Sequence, residues 1–356
     1  MKRTAMIMAG GKGERFWPRS RVHLPKQFLS LTNDGKTMIQ KTVERISPIV
    51  DIEDVYISTN KNYKKLVMEQ LPGIPEENIL CEPIGRNTAP CVGLAAAHVA
   101  KKYENATMIV LPSDHLIKNN EIFTSVFEKA CAVAEAGENL VTVGITPNYP
   151  ETGYGYIKYN EAVKNADSYK VEAFVEKPDL EKAKAYLAEG DYLWNSGMFV
   201  WQSKTILNCF KNYMTDTYEG LLKIQDAIGT DAQEQVLEEI YPTLESTSVD
   251  YGIMEKADSI FTLPGDFGWD DVGSWLAVGR VNPVDEDNNV VAGNVVMVDT
   301  KNSVIQGHGK LIATVGLNDM VVVDTEDALL ISTKEDAGKI KQVLAKLREA
   351  GKTEYL

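Results

Sequence analysis

Residues 6–28 read MIMAGGKGERFWPRSRVHLPKQF, a short apolar run, a glycine turn and then a crowd of basic side chains. Thr4 to Met8 has the composition of a buried first strand, and Ala9, Gly10, Gly11 and Gly13 let the backbone turn tightly and approach a ligand without side chains in the way. Successive amides in such a turn form an anion nest. Arg15 adds a planar fork and Lys26 a point charge, both suited to phosphate oxygens. The first 26 residues hold seven Lys or Arg against one acid, Glu14, in a chain of net charge -14. That local excess points to a polyphosphate site; a strand-to-helix turn with solvated charges is the alternative.

Two other glycine loops do not fit. A P-loop requires a hydroxyl residue after its Gly-Lys pair, and here Gly11-Lys12 is followed by Gly13. The dinucleotide fingerprint fits at Gly11 and Gly13, but its third glycine is Phe16, and Asp34 lies in LTNDGK, an ordinary turn. A dehydrogenase is disfavoured on that ground.

The chain is 356 residues long, 44% hydrophobic and 25% charged, enough for a large domain plus a smaller one with a substantial core. Its acidity argues against a nucleic-acid surface, which needs a broad basic face. A single nucleotide needs only a local basic spot. The sequence holds no run of about 18 apolar residues, and AMIMAG is too short for a signal h-region, so the expectation is a cytoplasmic protein with no membrane partner. Cys81, Cys91, Cys131 and Cys209 have no ligand spacing and read as reduced core thiols.

Up to about residue 145 the pattern alternates: strands at 4–8, 55–59 and 107–111, helices near 37–46, 61–71 and from Asn87 onward. This βαβ series predicts a mostly parallel sheet with ligands at the carboxyl ends of its strands. From 150 to 265 the texture becomes mixed, with strands at 155–159, 170–176 and 197–201 and helices near 179–189, 203–211 and 218–240. Beyond 281, VMVDTKNSVI (296–305) and VVVDTEDALLI (321–331) resemble one another, with Asp299-Thr300 recurring as Asp324-Thr325. Two coils of a β solenoid predict such a repeat, hairpins in a small sheet being the alternative, and a helix at 335–349 follows.

Several constellations carry chemistry. Asp114, in LPSDH at the end of an apolar strand, reads either as a metal-holding acid or as a turn cap, with His115 a supporting residue. EPIGRNTAP (82–90) offers Glu82, Arg86 and Asn87 before a helix; Asn87-Thr88 also reads as a plain helix cap. GWDDVGSW supplies Asp270 and Asp271, a metal loop or a solvated turn. ETGYGYI (151–157), FVEKP (174–178) and WNSGMF (194–199) together bring the mixture of glycine, amide, acid and base that sugar recognition needs.

Taken in order, GGKGERFWP and PKQF, EPIGRNTAP, LPSDH, ETGYGYI, FVEKP, WNSGMF, SVDYGIMEK and W-x-D-x-G-x-W resemble the sugar-phosphate nucleotidylyltransferases, and PKQF and NTAP are similar to the mannose-1-phosphate guanylyltransferase branch. One departure is Gly252, where the family often has Ala. The resemblance implies an α/β, Rossmann-like nucleotidyltransferase (GT-A-like) domain with a mixed, mostly parallel sheet over 1–280, divided into a nucleotide half 1–145 and a sugar half 146–280. It also implies a small left-handed β-helix with a terminal helix over 281–356. GTP and mannose 1-phosphate are the expected partners, Mg2+ the expected divalent metal, and a homodimer the expected assembly.

Residue by residue, the resemblance assigns Gly10, Gly11, Gly13, Arg15, Glu82, Asn87 and Thr88 to the nucleotide. It assigns Gly155, Glu176, Lys177 and Asn195 to the sugar, Asp114 and Asp271 to the metal, and Arg15, Lys26 and Lys177 to catalysis. UTP or dTTP with glucose 1-phosphate is the alternative substrate pair, and a silent nucleotide-sensing subunit the rival of another class. The larger relatives add a cupin-type isomerase domain; with the sequence ending at Leu356, isomerase activity is not expected.

Overall fold

The computed structural model describes every residue except Lys12, Asn33, Ala166 and Glu176. In chain order the first elements are β1 Lys2–Met8, α1 Met38–Ile46, β2 Val55–Asn60, α2 Lys64–Gln70, β3 Ile79–Glu82, α3 Thr88–Lys102, β4 Ala106–Pro112, β5 Leu116–Ile117, α4 Asn120–Glu135 and β6 Leu140–Ile145. There follow β7 Tyr156–Asn165, β8 Ser168–Val175, α5 Leu180–Glu189, β9 Tyr192–Gln202, α6 Ser203–Tyr213, α7 Thr215–Ala227, α8 Gln233–Ile240, β10 Ile260–Pro264 and β11 Trp269–Asp270. The chain divides into two compact units, one of Met1–Gly10, Thr42–Ser113 and Ile117–Trp269, the other of Gly11–Lys41, Asp114–Leu116 and Asp270–Leu356.

The first unit is built on one nine-stranded sheet in the order β3-β2-β1-β4-β9-β6-β10-β8-β7. Runs such as TMIVL and AMIM carry no polar alternation because their strands are covered on both faces, the usual state of parallel strands joined by crossover helices. β3, β2, β1 and β4 pair in parallel, as the βαβ series predicts. Beyond β4 the sheet departs from the mostly parallel expectation: four of the eight neighbouring pairs are parallel and four antiparallel. The physical reason is β9, whose long aromatic run Tyr192–Gln202 inserts between β4 and β6 antiparallel to both. Its Phe199 and Trp201 join Phe210, Leu221 and the apolar side of α3 in the main core of this unit.

The helix expected over 218–240 is two helices, α7 and α8. Gly229 between them takes φ +81°, a left-handed conformation that ends a helix and that residues with a Cβ resist.

The second unit contains α9 Trp275–Val281, β12 Val290–Ala292, β13 Val295–Val298, β14 Val304–Gln306, β15 Ile312–Val315, β16 Met320–Asp324, β17 Leu329–Thr333 and α10 Ile340–Glu349. β12, β14 and β16 form parallel rungs of one sheet and β13 and β15 those of a second, a β-helix, with β17 returning antiparallel on β16. The coil register is not the one the Asp-Thr recurrence suggests. Val295 pairs with Ile312 and Val304 with Val321, 17 positions on in each case. Asp299 sits in a turn at φ +50° whereas Asp324 ends a strand, so the two are not equivalent. Stacking of the buried Val304, Val321 and Val323 sets the register, and sequence likeness between coils is incidental to it.

The glycine and basic segment Gly11–Lys41 belongs to this second unit. Phe16, Trp17, Leu29, Leu31 and Met38 share one apolar core with Trp275, Val304, Val321 and Leu344.

Candidate active site

In the second unit the PKQF and W-x-D-x-G-x-W segments meet at Lys26. Its ammonium donates to Asp114 Oδ2 at 2.7 Å and to the Asp271 carbonyl at 2.6 Å. The Lys26 side chain is 7% exposed and that of Asp114 35%, so the lysine is walled in and the aspartate half-buried beside it. Burial pushes the Asp114 carboxyl up, but the Lys26 ammonium and His115 more than offset it, and the group is held below the usual carboxylate range. Arg15 is exposed, and its guanidinium NH1 lies 3.4 Å from where a Cβ on Gly273 would sit; Asp271 Oδ2 lies 2.8 Å from that point. Gly273 thus gives room for Arg15 and the Asp271 carboxylate to approach each other. Four residues expected to act together are gathered here.

Gly13 makes this arrangement possible. It adopts φ +59°, and a Cβ there would lie 2.5 Å from both Cβ and N of Lys26. Gln27, to which the sequence reading assigns no role, is buried and donates Nε2–H to the Gly11 carbonyl at 3.0 Å, closing the turn. Gly11 itself is exposed with open space beside it.

In the first unit the carboxyl end of β1 carries Gly10, and the end of β3 carries Glu82. The Ala9 amide donates to Ser58 O at 2.7 Å, and Thr59 Oγ1 donates to Ala9 O at 3.0 Å, which hold the strand end in place. Glu82 is 5% exposed. Ser58 Oγ donates to its Oε1 at 3.2 Å and Tyr241 OH to its Oε2 at 2.6 Å. Burial raises the Glu82 carboxyl above its ordinary value, and the Tyr241 and Ser58 hydroxyls only partly counter this. Oε1 lies 3.5 Å from where a Cβ on Gly10 would stand, so Glu82 and Gly10 share one spot. Asn87 caps α3 by accepting the Thr88 amide at 2.8 Å, from an exposed position at φ +67°. Thr88 Oγ1 accepts the Val249 amide at 2.9 Å, so both residues fasten the loop as well as border it.

The sugar-side residues are also in the first unit. Asn195 lies inside β9, which begins at Tyr192, ahead of the strand expected at 197–201, and stands opposite a register shift between Thr142 and Gly144 that bends the strand. Its amide N–H donates to the Gly155 carbonyl at 2.8 Å, its Nδ2 donates to Asp250 Oδ1 at 2.8 Å, and its Oδ1 accepts Gly197 N–H at 3.0 Å. Asp250 therefore orients the Asn195 amide; SVDYGIMEK holds it, but nothing local marks it as a partner. Tyr149, Tyr154, Trp194 and Trp269 form an edge-to-face aromatic cluster. Lys177 is exposed, at φ +43°. Glu176 lies outside the described residues.

Asp114 and Asp271 are hard oxygen donors, and among the described residues no group of three or more His, Cys, Asp or Glu could hold a metal ion. Two carboxylates suit magnesium, which keeps much of its octahedron for water and phosphate, and do not suit calcium or zinc caged by protein alone.

Lys26 thus joins PKQF, LPSDH and GWDDVGSW, three segments that resemble the signature of the nucleotidylyltransferases. The family described as nucleotidyl transferase matches residues 4–288. The chain belongs to that family. Residues 293–347 match the MannoseP isomerase/GMP-like beta-helix domain. The mannose-1-phosphate guanylyltransferase of Escherichia coli (strain K12) is 40% identical over 98% of this chain and 74% of its own length. The mannose-1-phosphate guanylyltransferase ManC of Salmonella typhimurium is 39% identical, again over 98% and 74%. Among solved structures, one titled mannose-1-phosphate geranyltransferase from Thermus thermophilus superposes with a TM-score of 0.89 at 35% identity, over 98% of this chain and 100% of that one. As a nucleotidyl transferase family member the chain is a transferase, and its α/β unit and β-helix are those of the family.

Proposed function

We propose that the protein converts GTP and mannose 1-phosphate to GDP-mannose and pyrophosphate. The observation that carries the reading is the bridge from Lys26 to Asp114 and Asp271, with Arg15 beside Asp271, which gathers cationic and metal-holding groups on the segments that resemble the family's signature. A phosphate oxygen of the sugar ester attacks the α-phosphorus in line. The new P–O bond forms as the bond to the β-phosphate bridging oxygen breaks, and pyrophosphate leaves with that electron pair. No protein nucleophile is required, so positioning and charge neutralisation supply the rate.

Arg15 and Lys26 balance charge on the transferred and leaving groups, and the Gly11 and Gly13 turn offers its amides. Asp114 and Asp271 would hold Mg2+, which supplies Lewis-acid neutralisation of phosphate oxygens when bound. Gly10, Glu82, Asn87 and Thr88 border the nucleoside, and the guanine edge is read by a backbone carbonyl of this loop or by Glu82 with nearby amides, Ser58 and Tyr241 fixing the carboxyl orientation. Asn195, oriented by Asp250, and the Gly155 backbone take sugar hydroxyls, the resemblance assigns Glu176 to the same task, and Lys177 takes the sugar phosphate. We assign residues 1–280 to catalysis and 281–356 to the terminal domain, and place the protein as a homodimer in the cytoplasm.

Pyrophosphate release over a matrix of GTP, UTP and dTTP against mannose and glucose 1-phosphates tests the reading. Turnover confined to GTP with mannose 1-phosphate is the expected result. Preference for another pair would replace the substrates, and no release from any pair would remove the activity.

A further inference from the structure

The 3-10 turn Glu14–Phe16 that carries Arg15 is gripped from behind by the end of the chain. Arg348 of α10 pairs with Glu14 at 2.6 Å. The Tyr355 carbonyl accepts two bonds at 2.7 Å, from Trp17 Nε1 and from Arg21 NH1. Trp275 Nε1 donates to the Trp17 carbonyl at 3.1 Å while its ring meets Phe16 edge-on at 5.4 Å. The residues on both sides of Arg15 are therefore anchored, to α10, to the Thr353–Tyr355 turn and to α9. Arg15 itself stays exposed.

We infer that Arg348 and the Tyr355 carbonyl are positioning groups for Arg15: the terminal segment sets where the guanidinium stands. Catalysis by preorganised charge is sensitive to placement, a 1 Å error being enough to slow turnover by about 100-fold. As a stabilising contact the Glu14–Arg348 pair is weak, because both side chains are partly exposed, at 31% and 47%. A variant that breaks it should lose turnover without losing the fold.

The kinetic arm rests on the proposed function, so the test also has an arm that needs no substrate. Arg348→Glu sets two carboxylates against each other. It is expected to lower kcat about 10-fold or more at an unchanged KM for mannose 1-phosphate and an unchanged Tm. Exchange of the Phe16 and Trp17 amides, which bond to Gly13 O and Glu14 O, should accelerate about 10-fold. Arg348→Lys, and the double variant Glu14→Arg with Arg348→Glu, should restore both readouts. Deleting residues 352–356 removes the carbonyl and should act in the same direction. Amide exchange and kcat within twofold of the parent protein in Arg348→Glu would overturn the inference, as would a loss that tracks Tm or that the charge swap does not reverse. A parent protein that releases no pyrophosphate would count against the proposed function alone, and amide exchange would still decide the positioning role.

Discussion

Lys26 donates to Asp114 at 2.7 Å from a side chain that is almost wholly buried, and the same ammonium reaches the Asp271 carbonyl. One cation thus joins two segments far apart in sequence. Losing it leaves the Asp114 carboxylate without this partner as well as removing a positive charge from the proposed phosphate site.

Lys26→Ala should therefore cost about 3 kcal/mol or more of transition-state stabilisation, roughly 100-fold in kcat/KM, as for one lost preorganised electrostatic donor. Steady-state pyrophosphate release measures this, and parental turnover would remove Lys26 from the chemistry.

The Asp114 carboxyl gives a pH signature. Its folded-state value is depressed, so the stability it contributes is present above the ordinary carboxylate range and is lost as pH falls through the folded value. Without Lys26 the burial effect remains and the largest counter-charge goes, so in Lys26→Ala the Asp114 titration should move upward. Carboxyl chemical shifts followed against pH would show it; an unmoved titration contradicts the pairing.

Glu82 has the opposite sign. Its folded value is raised, so its ionisation opposes folding, and stability declines as pH rises from the unfolded value toward the folded one. Tyr241→Phe removes a hydroxyl that favours the charged form. The variant should lose about 1–3 kcal/mol, with the loss widening as pH rises above the carboxylate range. Urea midpoints at pH 4 and pH 7 test this, and equal losses at both would contradict it.

Gly13→Ala and Gly11→Ala should separate cleanly. At Gly13 a methyl meets Lys26 at 2.5 Å in a left-handed conformation, whereas at Gly11 it meets nothing within 4 Å. The former adds about 1–2 kcal/mol of backbone strain alone and displaces Lys26; the latter keeps its fold. Comparing Tm and kcat of the pair decides, and equal behaviour would argue against the packing described here.

Asp114→Asn and Asp271→Asn should each raise the Mg2+ concentration needed for half-maximal turnover, since the proposed site draws on these two carboxylates. Chelation should abolish turnover and added Mg2+ restore it. An unchanged metal titration in either variant would take that residue out of the metal site.

Much of this was legible in residue types. Apolar runs such as TMIVL announce covered strands, and the PKQF and GWDDVGSW segments, singled out by residue type, do meet at Lys26. The strand Leu140–Ile145, the helix Asn120–Glu135 before it and the strand Ile260–Pro264 went unassigned, because short apolar runs without alternation do not distinguish buried strand from buried helix. Asp250, Gln27 and Tyr241 were missed as partners for a different reason. Each acts through one long-range hydrogen bond, and no local pattern encodes its other end.

Residue types and their spacing by themselves determined the βαβ series and its covered parallel strands, whereas the β-helix was implied by the resemblance to the family, the Asp-Thr recurrence leaving hairpins open. The βαβ series follows from local rules of periodicity and backbone freedom. Only the tertiary structure decided that the signature segment packs with the terminal unit, that β9 enters the sheet antiparallel, that Val304 stacks on Val321, 17 positions on, and that Lys26 lies between Asp114 and the Asp271 carbonyl. These depend on which buried surfaces close on one another, a many-body packing choice that no single stretch of sequence carries.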